Sequence, residues 1–122
     1  MSEIFNYTKG DTISFTFQLW KNKKDREYWN LENNQIRFQA DKDLISIKKA
    51  TSNVVGGSIE QIQILDSSKG LFIINISKEE SRNLIIGLYD FEIQITDAED
   101  QVFTVEKSKF SILEDKIKWL AI

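Results

Sequence analysis

Apolar residues at every second position are the feature that most limits what this chain can fold into. Ile13, Phe15, Phe17 and Leu19 share one parity, while Thr12, Ser14, Thr16 and Gln18 take the other. Tyr89, Phe91, Ile93 and Ile95 repeat the pattern against Asp90, Glu92, Gln94 and Thr96. Successive side chains of an extended chain point to opposite faces, so these runs predict strands with one face in a core and one in water. Ile36/Phe38/Ala40 and Ile62/Ile64 are shorter versions. Phe72, Ile74 and Ile76 form a further stripe, with Leu71 and Ile73 on its other face, which predicts a strand covered on both sides. Phe103/Val105 and Phe110/Ile112 read as the last strands.

The punctuation agrees with this reading. Asp66-Ser67-Ser68-Lys69-Gly70 is a turn between two apolar runs, Asp97-Ala98-Glu99-Asp100 a hairpin tip, and Val54-Val55-Gly56-Gly57 the end of a polar loop. Lys21 to Asn30 reads as a long charged connection that holds Tyr28 and Trp29. Ser77-Lys78-Glu79-Glu80 fits a capping box, in which the serine hydroxyl and the glutamate satisfy the first free N–H groups of a helix. Gly87 and the next strand follow closely, so only a short helical turn fits there. About seven short strands at this spacing, in a chain of 122 residues, predict one all-β antiparallel sandwich of two sheets.

Composition narrows the chemistry. The chain has no histidine and no cysteine. The commonest general base and the thiolate ligands are therefore missing, as are Ser-His-Asp and Cys-His arrangements. No catalytic, cofactor-binding or metal-binding residue is expected, and the chain is read as a non-enzyme. A formal net charge of -3 offers no general attraction to nucleic acid or to anionic lipid. No apolar run approaches the roughly 18–20 residues of a membrane helix, and the start MSEIFNYTKGD lacks the basic and apolar parts of a secretory signal.

Leu84-Ile85-Ile86-Gly87-Leu88-Tyr89 is the sharpest local pattern. A tyrosine at the start of a late strand can send its hydroxyl back to an upstream carbonyl and pin a corner between sheets, and Gly87 allows the tight approach. Around it lies a longer order. Lys9-Gly10-Asp11-Thr12 leads into the first alternating strand, and Leu31 precedes Ile36-Arg37-Phe38. Gly70-Leu71-Phe72-Ile73-Ile74, the Ser77 turn and Gly87-Leu88-Tyr89-Asp90-Phe91-Glu92-Ile93-Gln94 follow, then Val102-Phe103-Thr104-Val105 and Phe110-Ser111-Ile112. Over about residues 5–113 this order resembles the immunoglobulin-like N-terminal domain of phage baseplate upper proteins and related phage tail proteins.

The resemblance implies an immunoglobulin-like sandwich over residues 1–113 and a structural role in a virion assembled in the host cytoplasm. The site would be the tail, baseplate or neck region, in several copies against other virion proteins. The chain departs from the family at Asn30-Leu31-Glu32, where the family carries Asp-Leu-Thr. It also departs at Asp100 and at Lys107-Ser108, where the family carries glycine. These positions read as loops, so they bear on the partner rather than on the core.

Other groups of residues were weighed against plainer roles. Asp97, Glu99 and Asp100 crowd one loop but lack the ligand spacing of a calcium loop, and a solvated turn is the better reading. Lys21, Lys23, Lys24 and Arg26 are offset by Asp25 and Glu27, which favours a solvated loop over a phosphate site. Trp20 and Trp29 could pack under that loop or anchor a partner. Residues 114–122 form an apolar C-terminal tail after the last expected strand, and Ile117, Trp119, Leu120 and Ile122 are its candidate docking residues. A carbohydrate- or host-receptor-binding module is the alternative, with Trp20 or Trp29 stacking on a sugar, and a capsid decoration protein is a further one.

Overall fold

A computed structural model describes residues 4–114. The strands in chain order are β1 (Ile4–Thr8), β2 (Ile13–Gln18), β3 (Trp20–Asn22), β4 (Glu27–Tyr28), β5 (Gln35–Lys42), β6 (Ile45–Ala50), β7 (Ile62–Asp66), β8 (Leu71–Ile76), β9 (Gly87–Thr96) and β10 (Val102–Leu113). A 3-10 turn at Ser67–Lys69 precedes β8, and helix α1 (Lys78–Arg82) follows it. One sheet runs β1-β10-β9-β5-β6 and the other β2-β8-β7, while β3 and β4 form a separate hairpin. Pairing is antiparallel except between β1 and β10.

This order is that of an immunoglobulin-like sandwich. Strands β2, β8 and β7 take the B, E and D places of one sheet. Strands β10, β9, β5 and β6 take G, F, C and C′ of the other. The alternating stripes meet between the sheets: Ile13, Phe15, Phe38, Phe72, Ile74, Phe91, Ile93, Phe110 and Ile112 are all buried in one core. Antibody domains fill the middle of this core with a B–F disulfide packed on a strand-C tryptophan, the second cysteine lying two residues after the corner tyrosine. Here Phe91 stands two residues after Tyr89, with Phe15 on β2 and Phe38 on β5. Their ring centroids lie 5.9, 5.5 and 5.8 Å apart, for the pairs 15–91, 38–91 and 15–38. Three phenylalanines thus occupy the central position by packing alone.

The corner itself is built as the Gly-Leu-Tyr spacing suggests. The Tyr89 hydroxyl donates to the Ile85 carbonyl at 2.8 Å, and its fully buried ring stacks on Phe110 with centroids 5.1 Å apart. Gly87 begins β9 at φ +140, a backbone conformation that side chains oppose, with the Lys42 side chain lying close over it. The capping box is present as well: Ser77 Oγ accepts from the Glu80 N–H, and Glu80 Oε1 accepts from the Ser77 N–H at 3.2 Å.

Several features differ from expectation. Val102 to Leu113 is one strand, not two, so Lys107 and Ser108 lie within it rather than in a loop. The register slips between Thr104 and Glu106, and this bulge switches the inward parity from Phe103 to Phe110 and Ile112. The Lys21–Asn30 connection folds as the β3–β4 hairpin. Strand β6 has Lys49 at an inward position opposite Phe38, which breaks its stripe. Strand β1 adds an edge next to β10, bringing the two sheets to eight strands. Leu71 and Ile73 are half-buried on the outer face of β8, so that strand is only partly covered there.

Candidate functional site

The connection from β2 to β5 and the β9–β10 tip lie at one end of the sandwich, as the B–C and F–G loops do in this topology. A ring contact joins them: Trp29 meets Phe103 edge-on, with centroids 5.3 Å apart and planes at 71°. Trp29 also packs against the core, so it is chiefly a structural residue of this end. Trp20 is presented differently. It stacks on Tyr28 across the hairpin at 4.2 Å and 28°, and remains 36% exposed. One face of the indole is therefore held by a neighbour while the rest meets solvent.

The hairpin that carries this stack is tied down. Trp20 pairs with Tyr28 in the β3–β4 ladder, and the Trp29 N–H donates to the Leu19 carbonyl at 3.0 Å. At the tip, Asn22 Nδ2 donates to Asp25 at 2.8 Å, and Arg26 closes the turn at φ 55. Lys21, Lys23, Lys24 and Arg26 all point into solvent. Across the end of the sandwich, Asp97 Oδ1 accepts from the N–H groups of Glu99 and Gln101, each at 2.9 Å. That carboxylate oxygen staples its own turn, and Asp100 completes the turn at φ 66. Val102 is exposed and Phe103 partly so beside it.

The outer face of the five-stranded sheet has another character. Glu92 pairs with Lys107 at 3.1 Å, and Asp90 pairs with Lys109. Arg37 donates to Thr96 and Gln35. Two open clefts of about 390 and 460 Å³ cross this face and share Gln39 and Glu92. Their charges are largely matched within the sheet, which suits a solvated surface.

Of the residues singled out from the sequence, Trp20 and Trp29 come together at the loop end, one exposed and one built in. Ile117, Trp119, Leu120 and Ile122 lie outside the described residues. Tyr28 and Phe103 were not singled out as partners of the tryptophans. Two strands of two and three residues leave almost no alternation to read, so the Trp20–Tyr28 pairing had no sequence signal beyond the aromatics themselves. No known protein family and no curated protein matches the chain.

Proposed function

We propose that this chain is a non-enzymatic docking module of a phage virion, held in the tail, baseplate or neck region by contacts with other virion proteins. The resemblance of residues 5–113 to phage baseplate and tail domains supports the setting. The observation that carries the docking role is the Trp20–Tyr28 stack on a tied hairpin at the loop end. A large aromatic that is already ordered loses little conformational freedom on binding, and such residues dominate interface energetics. No residue is given a catalytic role.

The test is fractionation of phage particles carrying a tagged copy of the chain. Recovery with tails or baseplates is expected, and Trp20→Ala should reduce it. Recovery with heads alone would point to a capsid decoration protein, and absence from particles would overturn the reading. The exposed indole face also favours a second reading, a carbohydrate-binding module, because aromatic faces stack on sugar rings. Glycan-array binding that disappears in Trp20→Ala would support that role.

A further inference from the structure

Strand β2 bears an open edge, and its hydrogen-bonding frame defines what fits there. In the three-stranded sheet β2 pairs, among the described residues, with β8 alone. The Leu19 N–H donates to the Gly70 carbonyl at 2.9 Å, continuing the β2–β8 register by one residue. In an antiparallel ladder every second residue turns both its N–H and its C=O to the same neighbour. Ile13, Phe15 and Phe17 share Leu19's parity and so bond towards β8. Ser14, Thr16 and Gln18 therefore present their N–H and C=O groups to the open side, and among the described residues none has a backbone partner there.

We propose that this edge pairs with the same edge of a second copy of the chain, across a two-fold axis through Thr16. An antiparallel partner centred on Thr16 sets Ser14 against Gln18 of the other copy and Thr16 against Thr16. Every outward N–H and C=O of the three residues then meets a complement, and the apolar parity of both strands stays on the core side. Homotypic pairing brings like residues together, so it penalises a charged edge. Ser14, Thr16 and Gln18 are exposed and uncharged.

The opposite edge of this sheet is defended. Strand β7 slips its register between Ile64 and Asp66, and a bulge of that kind interrupts further pairing. Association through β2 therefore closes as a dimer rather than growing into a fibre. Edge pairing alone buries little surface, so the dimer is weak and depends on concentration. The proposal does not depend on the virion assignment.

The chain lacks cysteine, which makes the axis directly testable. Residues facing each other as a hydrogen-bonded pair have Cα atoms about 5.5 Å apart, within disulfide range. Thr16→Cys should cross-link into a dimer under mild oxidation. Ser14→Cys places its two thiols about 14 Å apart along the strand and should not. Light scattering over a concentration series should show the wild-type mass rising from one chain to two. Thr16→Lys should shift that rise to roughly tenfold higher concentration with an unchanged melting curve. A single-chain mass throughout the series would overturn the proposal, as would equal cross-linking of the two cysteine variants. A dimer lost on removing residues 115–122 but kept by Thr16→Lys would assign the contact to that segment instead.

Discussion

Lys49, pointing inward from edge strand β6, is ion-paired with Glu80, the capping-box glutamate of α1. The pair joins an edge of the five-stranded sheet to the helix that follows β8 of the other sheet. Glu80 holds both ends of the arrangement, accepting from Lys49 through Oε2 and from the Ser77 N–H through Oε1. An inward-pointing charged residue is also one of the devices that keep an edge strand such as β6 from pairing with another chain.

Glu80→Gln should destabilise the fold by about 1–3 kcal/mol. The Lys49 side chain is only 7% exposed, so losing its anion leaves a charge poorly solvated. The figure stays below that for a fully buried pair because Glu80 itself is 46% exposed and screened by water. Lys49→Met should cost less than Glu80→Gln, because it removes the buried charge rather than stranding it. Urea unfolding of the two variants measures the difference.

Acid should act through the same group. Burial alone would raise the Glu80 pKa, but the Lys49 hydrogen bond and charge and the Ser77 N–H outweigh it, and the carboxyl lies below its ordinary value of 4.5. A carboxylate with a depressed folded pKa contributes stability that is fully present above the unfolded pKa and fades as pH falls through the folded one. Melting temperature should therefore drop on acidification below about pH 5, and should drop less in Glu80→Gln than in the wild type. Equal slopes would remove Glu80 from the acid response.

Tyr89→Phe tests the corner. It deletes one hydroxyl, leaves the stacked ring in place, and strips the Ile85 carbonyl of its donor. The expected loss is about 1 kcal/mol, the scale of one net hydrogen bond. Chemical denaturation with an unchanged m-value would show that only this bond was lost.

The two-sheet architecture and most of the core were legible because β2, β5 and β9 keep strict alternation, while the unbroken apolar run of β8 marked a strand without choosing its inner face. Phe15, Phe38 and Phe91 could each be assigned inward from parity alone. The rest was hidden for physical reasons. Lys49 interrupts β6 at a position the core would give to an apolar residue, and only its partner Glu80, 31 positions away, makes it tolerable there. The bulge near Val105 reverses parity in mid-strand, so one strand looked like two. The loop end was half visible: the aromatics were evident, but their stacking depends on a hairpin too short to leave a pattern.

Gly70→Ala should be severely destabilising. Gly70 sits at φ +61 at the end of the 3-10 turn, a conformation that costs other residues about 1–2 kcal/mol. An added Cβ would also lie 2.5 Å from the Leu19 carbonyl oxygen and 3.0 Å from that of Trp29, both backbone atoms that cannot rotate away. The ladder between Leu19 and Gly70 would have to part, loosening the base of the β3–β4 hairpin. A loss above about 2 kcal/mol in urea unfolding is expected.

Trp20→Ala and Trp29→Ala should separate recognition from stability. Trp20 stands on the hairpin with its ring stacked on Tyr28, and over a third of it meets water. Its removal should cost about 1 kcal/mol or less in stability, abolish the near-ultraviolet circular dichroism of the coupled ring pair, and weaken partner capture. Trp29 packs against both the core and Phe103, so its removal should cost roughly 2–4 kcal/mol through the void it leaves. If Trp20→Ala proves as destabilising as Trp29→Ala, the exposed stack is part of the framework and not the anchor of a docking surface.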